Sequence, residues 1–222
     1  MASGAGRVEA GLIRELCSAD VFVFVGRLKV IMKIAQIAPL IESVPPRLYG
    51  GTERIVSYLT EELVRLGHDV TLFASGDSVT TAELAPCCTR ALRLDATVRD
   101  SVPHFMLMID KVRERAKEFD VFHFHIDFFH FPLFRSLAAR TLTTLHGRQD
   151  LADLKPFYSR FGEMPLVSVS NDQRKPLSQA NYVATIHHGI PPDLHRPSFE
   201  QGSSLPSWGG FRRKSARTAR LE

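Results

Sequence analysis

The chain is poor in the residues that would tie it to a metal, a disulfide framework or a membrane. Its three cysteines, Cys17 and the vicinal pair Cys87 and Cys88, have no ligand-type spacing, and adjacent cysteines do not readily bridge to each other. A reducing compartment and no metal site follow. No apolar run approaches the roughly 20 residues that a membrane-spanning helix needs; the stretch 21–37 is broken by Arg27, Lys29 and Lys33. Glu9, Glu15 and Asp20 sit where a signal peptide requires a basic start and a clean apolar core, so a cytoplasmic protein is expected. Gly-x-Gly-x-x-Gly does not follow the first strand-like run, and no acidic residue closes the second in the usual place, which weakens a nicotinamide-dependent oxidoreductase. Charge of one sign is lacking too. The net charge is +4, and residues 201–222 account for all of it through Arg212, Arg213, Lys214, Arg217 and Arg220 against Glu222. The remainder sums to zero, which offers no basic face to nucleic acid.

What is present is a core. At 44% hydrophobic over 222 residues, the chain can bury the interior of one domain plus extensions. Short apolar runs alternate with helical patterns: Ile34–Pro39, a helix after Gly51 with Ile55, Leu59, Leu63 and Leu66 as its apolar face, a stop at Gly67, then His68–Ala74. Strand, helix, strand with short connections is the βαβ unit. A further strand is expected at Ala91–Leu94, and a helix with Met106, Ile109, Val112 and Ala116 inward. Strands follow at Asp120–Phe128, Ala139–Leu145, Pro165–Val169 and Tyr182–Ile186. The fold class is therefore α/β, a Rossmann-like doubly wound domain with a mainly parallel sheet. Residues 1–31 read as an N-terminal extension preceding the first full strand at Met32, residues 32–199 as the domain, and 200–222 as a disordered basic tail.

In a parallel sheet every strand's carboxyl end falls on one edge, where open α/β sheets bind ligands. Gly50 and Gly51 let the chain turn there, Thr52 caps the following helix, and free N–H groups at its positive end favour a diphosphate or carboxylate. Alternation along a strand makes His123, His125 and Asp127 point the same way. The other strands open onto His146, Gly147 and Arg148, onto Ser170, Asn171 and Asp172, and onto His187, His188 and Gly189. His125, His146, Ser170 and His188 thus converge on one rim, with Asp150 and Asn171 as helix caps. A His-x-His pair can ligate a metal, but no third strong ligand stands at a diagnostic spacing, so none is expected.

The motifs 45-PPRLYGGTE-53, 73-FASGD-77, 123-HFHIDF-128, 144-TLHG-147 and 187-HHGIP-191 together resemble the N-terminal domain of glycosyltransferase family 4. The resemblance covers residues 32–199 and implies one half of a GT-B enzyme: two Rossmann-like domains across a cleft, acceptor chiefly on this side and nucleotide-sugar on the other. It implies retaining transfer with no metal or other cofactor. Gly50, Gly51 and Thr52 would approach the donor diphosphate and stabilise charge on it electrostatically, while His125 would line the centre as the catalytic residue. Glu53, His123, Asp127, His146, Gly147, Ser170, Asn171, His188 and Gly189 would shape the acceptor side. The partners implied are a nucleotide-sugar and a hydroxyl acceptor, with peripheral membrane contact open and no nucleic acid.

The family's second domain, with its paired glutamates and basic pair, has no counterpart in the sequence. Residues 191–197 match the hinge into it, and an Arg- and Ser-rich tail follows. Residues 205–218 can be written with codons that, one base earlier, read Leu-Ala-Phe-Leu-Gly-Arg-Ile-Ser-Pro-Glu-Lys-Arg-Pro-Asp, like the opening of a donor domain. The expectation is a frame-shifted remnant and a chain inactive alone. The alternative is a non-catalytic Rossmann-type module that binds a nucleotide or sugar.

Overall fold

Strands buried on both faces need apolar side chains in both directions, and this is what the interior runs supply. In the computed structural model, which describes residues 30–192 and Leu194, seven strands form one sheet: β1 Lys33–Ile37, β2 Asp69–Ser75, β3 Glu83–Cys88, β4 Val121–Phe124, β5 Thr141–Leu145, β6 Leu166–Ser168 and β7 Tyr182–Thr185. The order is β3-β2-β1-β4-β5-β6-β7, and every pairing is parallel. The chain runs outward from β1 to β3, returns, and runs outward again from β4 to β7. The reversal between β1 and β4 is the topological switch point of a doubly wound sheet.

Ala35, Ile37, Phe73, Phe122 and Phe124 send one face of the sheet into the main core. There they meet helix α2, Val102–Glu114, through Phe105, Met108, Ile109 and Val112. Short helices α3, Phe131–Phe134, and α4, Leu154–Arg160, add Phe131, Phe134 and Tyr158. On the other face Leu72 and Ala74 pack with Val56 of helix α1, Gly51–Arg65, and Ile34, Val70 and Val121 with its Leu63 and Val64. Gly67, at φ 82, ends the α1 turn in the left-handed region that glycine favours. A fifth helix, α5, spans Asn171–Arg174. Among the described residues no helix is long and apolar enough to cross a membrane.

Three local expectations are corrected. The buried positions of α1 are Glu53, Val56, Ser57 and Thr60, whereas Leu66 is 39% exposed; packing of Val56 against β2 sets the face, and polar Ser57 and Thr60 follow it inward. Ala91–Leu94 holds a 3-10 turn at Leu92–Leu94, and the strand is Glu83–Cys88. That strand carries Pro86 and has an exposed or half-buried residue at five of six positions, a weak pattern for sequence reading. In α2, Phe105 and Met108 are inward while Met106 is 39% exposed.

Residues 1–29 of the N-terminal extension and the tail 200–222 lie outside the described residues. The chain divides into two units after Ile190. The first holds the whole sheet. In the second, the Leu194 N–H donates to the Pro191 carbonyl.

Candidate functional site

At the switch point, register places Gln36 of β1 beside His123 of β4, an amide and an imidazole in a sheet whose other buried polar side chains are the hydroxyls of serine and threonine. Gln36 is fully buried. Its Oε1 lies 2.9 Å from His125 Nε2 and its Nε2 3.4 Å from His123 Nδ1. From there bonds run in both directions: His123 Nε2 reaches Thr144 Oγ1 of β5 at 2.8 Å, and His125 Nδ1 reaches His146 Nε2 at 2.9 Å. His146 Nδ1 is 3.2 Å from His188 Nε2, the two rings stacked with centroids 5.0 Å apart. Residues from β1, β4, β5 and the segment after β7 are joined in one chain at the carboxyl edge.

Burial keeps these rings neutral, because removing an imidazolium from water costs more than removing an imidazole. It holds His123 at about 4 and His146 at about 3, with the neighbouring His188 and His123 adding to the effect at His146. His125 is held well below the usual 6.5 by burial first, then by His123, His146 and His188. Only 4% exposed, His125 has both ring nitrogens engaged. The exposed member of the chain is His188.

The Gly50 and Gly51 pair behaves as two different residues. A Cβ on Gly50 would stand 2.8 Å from Pro46 Cβ and 3.0 Å from Glu53 Oε2, whereas one on Gly51 would meet nothing within 4 Å. Gly50 is the N-cap of α1 and no side chain caps the helix. Thr52 lies inside the first turn, a correction to its expected capping role. Glu53 is 5% exposed; burial raises its carboxyl pKa, and the backbone N–H groups of Glu53 and Glu42 oppose that rise. Glu42, buried beside it, is paired with Arg93 at 2.8 Å. This acidic pair pins the loop between β1 and α1.

Asp127 does not extend the alternation of His123 and His125. β4 ends at Phe124, and Asp127 turns at φ 52, a left-handed conformation uncommon outside glycine, asparagine and aspartate. Its carboxylate lies near Gly147, about where a Cβ there would be 3.9 Å away, and burial raises its pKa. Ser170, rather than Asn171, caps α5 by accepting the Gln173 N–H at 3.1 Å, so it stands outside the histidine chain. Asn171, Gly147 and Gly189 are exposed. Asp150 pairs with Arg148, and the N-cap of α4 is Asp153.

Sequence reading missed Gln36, a single polar residue inside an apolar run, and Gln173. The latter donates from Nε2 to the carbonyls of Leu145 and Gly147 and accepts the Val169 N–H, tying the exits of β5 and β6 together. It also missed His130, fully buried and stacked on Phe124, with Nε2 3.0 Å from Thr143 Oγ1. Among the described residues no group of three histidine, cysteine, aspartate or glutamate side chains is arranged to hold a metal ion. The described cysteines, Cys87 and Cys88, are free, and burial pushes the Cys87 thiol up to about 11.

Residues 49–194 match the family described as Glycosyltransferase Family 4. Among solved structures, the chain is similar to AviGT4, a glycosyltransferase involved in avilamycin A biosynthesis, with 18% identity and a TM-score of 0.46, over 74% of this chain and 44% of that one. It is likewise similar to a glycosyltransferase from Rickettsia africae ESF-5, with 16% identity and a TM-score of 0.46, over 69% of this chain and 42% of that one. The chain spans less than half the length of either structure. No curated protein matches it.

Proposed function

The chain belongs to glycosyltransferase family 4, and from this premise we propose that it forms the acceptor-side half of a GT-B cleft, serving transfer of a sugar from a nucleotide-sugar to a hydroxyl acceptor. Configuration is retained, no metal takes part, and the donor-binding half must come from a second domain, so the chain alone does not turn over. The observation that carries this reading is the hydrogen-bonded run of His125, His146 and His188 at the carboxyl edge beside the switch point, where an open sheet binds its ligand.

The α1 entrance supplies the second part. The N-terminus of a helix carries free N–H groups and a partial positive charge, and nothing stands where a Cβ of Gly51 would be, so a diphosphate can come up to the backbone. Its role is electrostatic, offsetting charge that grows on the leaving diphosphate as the glycosidic bond to it breaks. His125 acts at the centre through His146 and His188, being closed off itself, and Asp127, His146 and His188 shape the acceptor side.

The test joins residues 30–199 to a donor domain of the same family and follows transfer from a panel of nucleotide-sugars to simple glycosides. Transfer that Gly51→Val reduces is expected, with no turnover by the unjoined chain. Nucleotide-sugar binding without transfer in any pairing would instead support a non-catalytic binding module.

A further inference from the structure

The histidine chain has a direction, and the direction decides what its exposed end can bind. A neutral imidazole has one N–H and one lone pair, an amide oxygen only accepts and an amide nitrogen only donates. With Gln36 Oε1 facing His125 Nε2, the proton of His125 is on Nε2 and its Nδ1 is a lone pair. His146 must then donate from Nε2, leaving its own Nδ1 to accept from His188 Nε2–H. On the other branch Gln36 Nε2–H donates to His123 Nδ1, so His123 donates from Nε2 to Thr144 Oγ1. All four rings take the Nε2–H form, the tautomer that neutral histidine prefers in water. Turning the Gln36 amide around would reverse every bond and force all four rings into the less favourable Nδ1–H form. The amide orientation and the ring preferences therefore agree, and the chain ends at the exposed residue His188 with a lone pair on Nδ1.

We propose that Gln36, acting through His125 and His146, fixes His188 as a hydrogen-bond acceptor at the rim, where its Nδ1 takes the hydroxyl of a sugar and turns away phosphate oxygens. The choice of a sugar hydroxyl as ligand rests on the glycosyltransferase reading; the direction of the chain does not. His188 is the contact, whereas Gln36, His125 and His146 are positioning residues. A lone pair repels an anion but completes a hydroxyl donor, so the relay separates the sugar side of the cleft from the diphosphate side at the α1 entrance. An isolated exposed histidine would exchange tautomers freely and make no such distinction. The arrangement replaces a carboxylate that would otherwise orient an imidazole with an amide, which fixes the tautomer without adding charge or raising the basicity of the rings.

The experiment is long-range proton–nitrogen correlation NMR on the 15N-labelled full chain at neutral pH. Expected are neutral Nε2–H forms at His123, His125, His146 and His188. Gln36→Leu leaves His125 Nε2–H buried without an acceptor, which costs more than leaving a bare lone pair there, so His188 gains Nδ1–H population. Gln36→Glu restores an oxygen acceptor to His125 and returns His188 to Nε2–H, a rescue that a merely structural Gln36 would not produce. In the wild-type chain, methyl α-D-glucopyranoside shifts the His188 Nδ1 resonance and inorganic phosphate does not. Nδ1–H at wild-type His188, or a folded Gln36→Leu with an unaltered His188, overturns the relay. Should Gln36→Leu fail to fold, the wild-type tautomers decide. No response to the glycoside, or a response to phosphate instead, overturns the ligand. These readouts need no turnover, so absence of transfer in the fusion assay would sink the enzyme reading while leaving the relay standing.

Discussion

Acid should unfold this domain well before its carboxylates with lowered pKa values are protonated, because its buried histidines are neutral. His125 and His130, 4% and 0% exposed, have pKa values held by burial well below the ordinary 6.5; His123 and His146 are held at about 4 and about 3. Above pH 6.5 folded and unfolded chains hold the same protons at these sites, and the stabilising contribution is complete. As pH falls below 6.5, the unfolded chain takes up protons that the folded one refuses, so stability is lost until the folded values are reached. Each histidine contributes about 1.4 kcal/mol per pH unit to that loss. Four give a slope of roughly 5 kcal/mol per unit. Asp127 and Glu53 work in the opposite sense, since their raised values let the folded state bind protons first below neutrality. Together they return at most about 3 kcal/mol per unit, and only between their raised values and the ordinary carboxylate range. The net slope stays near 3 to 5 kcal/mol per unit against a typical stability of about 5–15 kcal/mol. Urea unfolding followed by far-ultraviolet circular dichroism, at half-unit steps from about pH 7 to 4, measures it directly. A slope below about 1.4 kcal/mol per unit across pH 6 to 5, less than one histidine's worth, would refute the buried neutral cluster.

The two adjacent glycines should separate cleanly. Gly50→Ala is expected to cost about 1–3 kcal/mol by driving a Cβ into Pro46 and Glu53, while Gly51→Ala is neutral or stabilising by up to about 1 kcal/mol; equal thermal shifts would contradict this. Ser170→Ala removes the side-chain cap of α5 and should cost about 1 kcal/mol, restored by Ser170→Asp, in chemical denaturation. His125→Ala leaves Gln36 Oε1 and His146 Nε2–H unpaired around a cavity and should cost about 2–4 kcal/mol. An unchanged melting temperature would show that the ring is not part of the core network.

The parallel sheet is legible because its interior strands are apolar in both directions, as in Val70, Leu72, Phe73 and Ala74. The meeting of His125, His146 and His188 is legible for a related reason: each follows a strand end, and parallel strands share one edge. What escapes is whatever depends on register between distant strands. Gln36 acquires its meaning only when His123 is set beside it, and no local pattern announces that pairing. The burial of His125 escapes likewise, since exposure at a strand exit depends on what the neighbouring loops cover. The face of α1 escapes as well, because apolar Ile55 and Leu59 suggest a stripe, whereas the helix seats Val56 and buries Thr60 instead.

The position of Gln36 also bears on how the chain folds. Strands β1 to β3 pair with sequence neighbours, as do β4 to β7, and among the strand pairings of the described residues the β1–β4 seam is the one that joins the two groups. Across it Gln36 and His123 are 87 residues apart. Loop-closure entropy makes such a contact costly until both sides are in place, and this seam repays it partly with polar bonds instead of hydrocarbon. The two halves are therefore expected to form first and dock last. The Asp120 and His125 N–H groups, which donate to Lys33 and Ile37, would become protected in pulse-labelled hydrogen exchange later than amides within β2 or β5. Simultaneous protection would mean that the sheet assembles as one nucleus. If docking does come last, the hydrogen-bonding tip at His188 acquires its polarity only in the final step of folding, when Gln36 reaches the histidines.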